Sequence, residues 1–110
     1  MFNFKLNTLI LLIGGILFFL NSGSFAQESG IRGIITDFST GETIPLVNII
    51  KVGTTIGTNS DDEGYYELEL TPGNHELRFS SLAYVDTLLS LEIEANKYIS
   101  LDIQLSEDRL

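Results

Sequence analysis

Short segments in which apolar and polar residues alternate are the feature that most constrains the fold of this chain. In "YYELEL" (65–70), Tyr66, Leu68 and Leu70 alternate with Glu67 and Glu69, which is the period of a half-buried β-strand. Comparable segments, separated by turn signals, occupy residues 30–37, 44–52, 54–60, 65–70, 75–82, 87–94 and 97–105. Seven short strands without helical periodicity beyond residue 26 predict an all-β fold, a seven-stranded sandwich with one core between two sheets.

The first 26 residues have the pattern of an export signal. Lys5 precedes an apolar run at 9–20, and the small residues Ser24 and Ala26 form an A-x-A-like cleavage site before Gln27. An uncleaved anchor would need about 20 apolar residues, and the run is shorter than that. We therefore predict a signal peptide at 1–26, cleavage between Ala26 and Gln27, and a short lead at 27–29 before the domain.

Charge and cysteine content exclude several classes of function. Residues 27–110 carry all 15 acidic residues against five basic ones, a net charge of −10. Such a surface repels nucleic acid and anionic lipid headgroups, so we expect no nucleic-acid partner and no membrane insertion by the mature domain. The chain has no cysteine, which excludes a lipoprotein anchor, a thiolate metal site and a thiol nucleophile. One small domain held by apolar burial alone is what this length supports.

Acidic residues before Gly64 raise the question of a metal site. Asn59, Asp61 and Glu63 alternate in the manner of the first half of a calcium loop, with Gly64 at the sixth position. The twelfth position is Leu70, which has no oxygen ligand in its side chain, and the flanking segments have strand periodicity. The pattern favours a hairpin turn with solvated acids. Weak adventitious Ca²⁺ binding by the three polar residues remains the alternative.

Residues for catalysis are scarce. His75 is the only histidine, so a histidine-rich zinc site is excluded, and its place after "PGN" predicts an exposed residue next to a turn. The glutamate pair Glu67 and Glu69 is predicted to face solvent. "GTTIG" is not followed by the lysine of a phosphate-binding loop. We therefore expect no catalytic residues, no cofactor and no enzymatic activity.

Several motifs together resemble the carboxypeptidase-regulatory-like domain over residues 30–105. They are G-x-I-x-D at 33–37, T-G-E at 40–42, P-L-V-N-I at 45–49, G-T-T-x-G-T at 53–58, D-x-x-G-x-Y at 61–66 and P-G at 72–73. The resemblance implies a transthyretin-like Greek-key β-sandwich of seven strands. It also implies a non-enzymatic module, found at the N-terminus of TonB-dependent outer-membrane receptors of the Bacteroidota type and beside some peptidases. The family's Gly–Tyr pair is replaced by Ala83–Tyr84, which argues against a positive-φ turn there.

These observations predict an exported accessory or interaction domain of a cell-envelope system linked to TonB-dependent nutrient uptake. We expect it in the periplasm, on the periplasmic face of the outer membrane, or secreted, with a protein partner such as an outer-membrane receptor or a peptidase. The alternative is a stand-alone β-sandwich that binds a small ligand, a glycan or Ca²⁺. Candidate interaction residues are Thr58, Asp61, Asp62, Tyr65, Tyr84 and Asp86. The polar tail 106–110 is expected to lead out of the fold, and the sequence leaves open whether the chain is complete.

Overall fold

A computed structural model describes residues 28–109 of the chain. The predicted signal peptide and its cleavage site at Ala26–Gln27 lie outside these residues. Across 28–109, no helix has the length and apolar character needed to span a bilayer.

The described residues form eight β-strands. In chain order they are β1 (Gly30–Asp37), β2 (Asn48–Lys51), β3 (Gly57–Asn59), β4 (Tyr65–Glu69), β5 (Gly73–Ser80), β6 (Thr87–Ile93), β7 (Tyr98–Ser100) and β8 (Ile103–Leu105). They make two sheets, which confirms the predicted all-β sandwich. The count exceeds the predicted seven because the segment 97–105 forms two strands.

Strand β1 lies at the centre of the first sheet. It pairs antiparallel with β4 and parallel with β7 and β8, which follow each other along its other side. The second sheet has the order β3-β2-β5-β6, and all its neighbours are antiparallel. The parallel pairs join residues 98–105 to β1, so the first sheet combines segments that are far apart in the chain.

The core lies between the two sheets and follows the predicted alternation. Tyr66, Leu68 and Leu70 are buried, while Glu67 and Glu69 are exposed. Across the core, Leu77 and Phe79 of β5 are fully buried. The Tyr66 and Phe79 rings meet edge to face at 5.7 Å between centroids, a favoured aromatic geometry. The other buried apolar residues are Ile31, Ile35, Ile44, Val47, Ile49, Ile93, Ile103 and Leu105.

The break between β7 and β8 explains the eighth strand. The Leu101 amide donates to the Arg32 carbonyl at 2.7 Å, but the next ladder bond is replaced by a side chain. The Ile34 amide donates to Asp102 Oδ1 at 2.9 Å. The Tyr66 hydroxyl donates to the Leu101 carbonyl at 2.6 Å. The line of strands therefore bends at 101–102 while its hydrogen bonds stay satisfied.

The predicted strand 44–52 begins later than expected, at Asn48. Pro45 and Leu46 form a turn instead, and Leu46 has a φ of 58°. Ser60 stabilises this turn from across the sheet. Its hydroxyl accepts from the Val47 amide at 2.8 Å and donates to the Ile44 carbonyl at 2.9 Å. The hydroxyl thus takes the place of the direct bond that closes a hydrogen-bonded β-turn.

The prediction that His75 is exposed is wrong. The side chain is 6% exposed and faces the core, and Nε2 donates to the Thr71 carbonyl at 2.7 Å. Nδ1 is buried with no hydrogen-bond partner among the described residues. Strand β5 starts at Gly73, two residues before the predicted start. His75 therefore has the inward parity of Leu77 and Phe79.

Candidate interaction surface

The acidic turn 61–64 is a closed hydrogen-bonded unit. Asp61 Oδ1 accepts from the amides of Glu63 and Tyr65, both at 2.9 Å. The Asp61 amide donates to the Tyr65 carbonyl at 2.8 Å, and the Gly64 amide donates to the Asp61 carbonyl at 3.0 Å. Gly64 has a φ of 80°, the left-handed conformation in which glycine carries no steric cost. Asp61 thus has the role of an Asx-turn residue.

The three candidate Ca²⁺ ligands lie on two elements, Asn59 in β3 and Asp61 and Glu63 in the turn that follows it. Asn59 lies in β3 opposite Asn48, and Glu63 is exposed at the tip of the turn. One oxygen of Asp61 is already occupied by two amides. No group of three His, Cys, Asp or Glu side chains among residues 28–109 is placed to hold a metal ion. The arrangement favours the hairpin-turn interpretation.

An apolar and aromatic surface continues from this turn onto the outer face of the first sheet. Tyr65 and Ile34 are register partners on β4 and β1, and they are 38% and 41% exposed. Beside them, the Arg32 guanidinium lies over the Tyr98 ring at 4.7 Å from its centroid, a cation–π contact. We call these four residues the outer-face patch. Its apolar part, Tyr65 and Ile34, is small, and Arg32, which lies 3.8 Å from Glu67, stands between Ile34 and Tyr98.

A hollow of about 690 Å³ adjoins the outer-face patch along β1 and β8. It is lined by Ile34, Thr36, Asp102 and Gln104. The hollow lies beside the bend at 101–102, where the Ile34 amide donates to Asp102 Oδ1. It combines an apolar wall with an acid and an amide. Such a concave polar edge beside an apolar patch is chemistry suited to a polypeptide partner.

The loop 81–86 is attached to the carboxyl end of β1. The Tyr84 hydroxyl donates to Asp37 Oδ2 at 2.8 Å, and Asp37 Oδ1 accepts from the Ser39 amide at 2.7 Å and the Thr40 amide at 3.0 Å. The Tyr84 hydroxyl, followed by the turn amides, lowers the pKa of Asp37. The same hydrogen bond, followed by burial, raises the pKa of Tyr84. The aromatic ring is therefore held by β1 and is not free to rearrange.

Ala83 adopts the turn that the sequence argued against. Its φ is 68°, in the left-handed region, so alanine occupies the conformation that glycine would adopt without strain. At this turn the chain pairs antiparallel with the residues that follow β8, through a bridge between Tyr84 and Glu107. The Asp108 amide donates to the Ala83 carbonyl and the Val85 amide donates to the Ser106 carbonyl, both at 2.8 Å. Residues 106–108 therefore stay within the fold instead of leading out of it.

The predicted interaction residues divide into two groups. Asp61, Asp62 and Tyr65 lie in and beside the 61–64 turn, where Gly64 accepts from the Ile35 amide at 2.9 Å. Tyr84 and Asp86 lie in the 81–86 loop, which is attached two residues further along β1 at Asp37. Both loops are thus positioned by the carboxyl end of one strand. Thr58 is half-buried in β3, opposite Ile49, and is set apart from both groups.

The family of the chain follows from a comparison with known domains. Residues 31–110 match the CarboxypepD_reg-like domain. The chain belongs to this family. The match covers both sheets of the structure apart from the first residue of β1, so the described sandwich is this domain.

Two curated relatives of the CarboxypepD_reg-like domain are TonB-dependent receptors. The TonB-dependent receptor P3 of Formosa agariphila is 34% identical over 96 residues, which is 86% of this chain and 9% of the receptor. The TonB-dependent receptor SusC of Bacteroides thetaiotaomicron is 31% identical over 106 residues, 96% of this chain and 10% of the receptor. The chain spans about a tenth of the length of these relatives and matches their N-terminal region.

Some surface residues of this domain were not predicted. For Ile34 and Arg32, the only sequence signal of a surface role is their outward parity in β1. The hollow at Asp102 lies at the bend between β7 and β8. The uninterrupted alternation of 97–105 does not predict that bend. Asp37 had a signal, because an Asp followed by "FSTGE" is typical of a side chain that caps a turn. The partner of its second oxygen, Tyr84, is 47 residues away and has no local signature.

Proposed function

We propose that this CarboxypepD_reg-like domain is a non-enzymatic accessory domain of a TonB-dependent uptake system in the cell envelope. The observation that carries the proposal is the match of 86% and 96% of the chain to two TonB-dependent receptors. The predicted export signal at 1–26 supports a position outside the cytoplasm. The domain would then work on the periplasmic side of the outer membrane.

The buried polar side chains have structural roles, which favours a binding function over a catalytic one. The buried polar side chains Asp37, Ser60 and His75 each bond to turns or strand ends. None of them forms a nucleophile–base pair. A rigid sandwich with satisfied turns is suited to present a surface to a protein partner without rearrangement.

We propose the outer-face patch and the adjoining hollow as the docking surface for that partner. Tyr65 and Ile34 supply exposed apolar area, and the Arg32–Tyr98 pair supplies an aromatic and cationic edge. Tyrosine and arginine are the residues most enriched at the centres of protein interfaces. The partner we favour is an outer-membrane receptor. Its barrel would belong to the same polypeptide if the chain continues beyond residue 110.

Envelope fractionation of the source cells tests the proposal. The species whose mature N-terminal peptide is "QESGIRGIITD" would be purified from each fraction, and its intact mass measured. A large outer-membrane species, or a small one that co-purifies with an outer-membrane receptor, supports the proposal. A free species of residues 27–110 that associates with no membrane protein would contradict it and turn attention to the small-ligand, glycan or Ca²⁺ alternative.

The docking surface has its own test. The double variant Ile34→Ala/Tyr65→Ala should reduce co-purification with the envelope partner by about tenfold or more, since two exposed apolar side chains are removed from the centre of the surface. Thermal unfolding of the variant checks that the fold is kept. The matched control is Leu46→Ala/Ile56→Ala, two exposed apolar residues outside the first sheet and outside the 81–86 loop. Equal loss in both variants would contradict the assignment of this face.

A further inference from the structure

The free strand edges of the sandwich differ in how they are protected. Within residues 28–109, the first sheet ends at β4 on one side and at the β7–β8 line on the other, and the second sheet ends at β3 and β6. Free edges carry unpaired amides and carbonyls that can pair with another chain. Proteins usually block such edges with charges, bends or short strands.

Three of these edges are blocked in such ways. On β4, the backbone groups facing outward belong to Tyr65, which binds Asp61, and to Glu67 and Glu69, which carry charge. Strand β3 has only three residues. The β7–β8 line is bent at 101–102, where Asp102 takes the place of a ladder bond.

The β6 edge is different, because it is long, regular and nearly uncharged. It pairs with β5 over all seven of its residues, Thr87–Ile93. The Val52 amide donates to the Glu76 carbonyl, so the backbone groups of Glu76 point towards β2. The backbone groups of its neighbour Leu77 therefore point towards β6. Leu77 is opposite Leu89. By alternation, the backbone groups of Leu88, Ser90 and Glu92 point to the open edge.

We propose that two copies of this domain associate through antiparallel pairing of their β6 strands, with the two-fold axis at Ser90. Each Ser90 then exchanges backbone hydrogen bonds with Ser90 of the second copy, and Leu88 does so with the second copy's Glu92. The two four-stranded sheets join into one of eight strands. Pairing through β6, in the second sheet, leaves the outer-face patch of the first sheet free for the partner proposed above.

This register is self-complementary on both faces of the strand. On the inner face, Leu89 comes opposite Leu91 of the second copy, and both leucines are only half-buried in the single domain. Such non-hydrogen-bonded pairs bring side chains closest together. On the outer face, Leu88 comes opposite Glu92, so no acid within β6 faces another acid. Beyond the strand ends, Asp86 approaches Glu94, whose carboxylate lies 3.6 Å from Lys97 Nζ.

Neighbouring registers are less favourable. An axis at Glu92 would place the two Glu92 carboxylates directly opposite each other, and an axis at Leu89 would place Glu92 opposite Asp86. Like charges directly opposite destabilise a strand pair. An axis at Leu91 pairs only residues 89–93 within β6 and places Leu88 opposite Glu94, which lies beyond the strand. The axis at Ser90 alone among these uses the whole strand without an acid pair inside it.

A single cysteine at the proposed axis gives a direct test, because the chain has no cysteine of its own. Hydrogen-bonded antiparallel residues have Cα atoms about 5.5 Å apart, which is within the range for a disulfide. The Ser90→Cys variant of residues 27–110 should therefore form a covalent dimer in a glutathione redox buffer. The matched Ser100→Cys variant, exposed on β7, should stay monomeric. Equal cross-linking of both variants, or of neither, would overturn the proposal.

Sedimentation equilibrium supplies a second test without a cross-link. The Ser90→Glu variant brings two new carboxylates together beside Glu92, and it should raise the dimer Kd by about tenfold. The Ser100→Glu control, with the same change in net charge, should leave the Kd unchanged. Higher salt should tighten the unmodified dimer, since it screens repulsion between two acidic copies. A monomer at about 1 mM protein, or a dimer indifferent to Ser90→Glu, would overturn the proposal.

Discussion

Asp37 organises one end of the sandwich through a single carboxylate. One oxygen accepts from the Ser39 and Thr40 amides and thereby shapes the turn after β1. The other accepts from the Tyr84 hydroxyl and thereby fixes the 81–86 loop. Because these bonds favour the ionised form, the pKa of Asp37 is lowered. A local turn and a distant loop thus depend on the same charge.

This linkage predicts an acid-dependent loss of stability. A carboxyl group with a lowered folded-state pKa stabilises the fold above its unfolded pKa of about 3.9, and that contribution is lost as the pH falls through the folded pKa. Tyr84→Phe removes the largest cause of the shift. The variant should therefore show a smaller fall in the free energy of unfolding below about pH 4. Urea unfolding across a pH series measures it.

The control for that experiment is Tyr65→Phe, since Tyr65 is an exposed tyrosine on another strand. It should keep the pH dependence of the unmodified domain. If Tyr84→Phe had the same acid dependence as the unmodified domain, the hydrogen bond to Asp37 would not stabilise the ionised carboxylate.

At Ala83 a substitution is expected to increase the stability of the domain. Its φ of 68° costs an L-residue about 1–2 kcal/mol, and its side chain is exposed. Ala83→Gly should remove this strain. Glycine also adds conformational entropy to the unfolded chain, which offsets part of the gain, so the net increase in stability should be about 0.5–1 kcal/mol. Chemical denaturation measures the change. Ala95→Gly, also exposed but without positive φ, should be neutral or destabilising; stabilisation by both would contradict the explanation.

At the scale of elements, turns are joined to strands by buried side chains of small size. Ser60, directly after β3, is buried and bonds to both ends of the 44–47 turn. Its own amide donates to the Val47 carbonyl at 2.9 Å. One serine therefore connects the entrance of β2 to the exit of β3.

Ser60→Ala should destabilise the domain more than a typical surface change. It leaves the Val47 amide and the Ile44 carbonyl without their buried partner, at a cost of about 1–3 kcal/mol. Differential scanning calorimetry would register this as a lower Tm. Ser100→Ala, at an exposed position, should change stability by less than about 0.5 kcal/mol. A neutral Ser60→Ala variant would show that water or a relaxed turn replaces the hydroxyl.

Gly33 is the second point at which an element depends on one residue. A Cβ atom there would overlap the Leu101 carbonyl oxygen, which the Tyr66 hydroxyl also binds. Gly33→Ala should push the bend at 101–102 away from β1 and cost about 1–3 kcal/mol. Gly41→Ala is the comparison, because its Cβ would meet open space and only the positive φ of 74° is penalised. That penalty is about 1–2 kcal/mol, so Gly41→Ala measures backbone strain without overlap. A Gly33→Ala variant as stable as the unmodified domain would mean that Leu101 moves without cost.

At the scale of the whole molecule, excess negative charge is the dominant property. The net charge of −10 on residues 27–110 opposes the compact state, and salt screens this repulsion. Few of these acids have compensating contacts. The recorded ion pairs, Arg32–Glu67 at 3.8 Å and Lys97–Glu94 at 3.6 Å, are exposed and contribute little.

The domain should therefore gain thermal stability with ionic strength whatever the cation. Raising NaCl to about 0.5 M should increase Tm by a few degrees. CaCl₂ and MgCl₂ at equal ionic strength should give equal increases, since Asp61 Oδ1 is occupied by two amides and no group of three His, Cys, Asp or Glu side chains among residues 28–109 is placed to hold a metal ion. A larger increase with Ca²⁺, abolished in Glu63→Gln, would contradict this prediction and support the ion-binding alternative.

Local pattern predicted much of the fold but not the arrangement of its polar residues. The alternation in β4 and β5 identified Tyr66, Leu68, Leu77 and Phe79 as core residues, because side-chain direction depends only on parity within a strand. His75 obeys the same rule, since it has the parity of Leu77 and Phe79. The prediction that it is exposed failed because β5 begins at Gly73, which places His75 inside the strand and not beside the turn. In 97–105 the alternation continues through Leu101 and Asp102, so it carried no signal of the bend.

The sequence by itself determined the strand pattern, the turn at 61–64 and the membership in the CarboxypepD_reg-like family. These depend on residues close together in the chain, where φ preferences and parity act. Only the tertiary structure decided that β7 and β8 pair in parallel with β1, that Tyr84 binds Asp37, and that β6 is left as the unprotected edge. Each of these depends on contacts between segments far apart in the chain, and no local preference selects such contacts until the two sheets pack around one core.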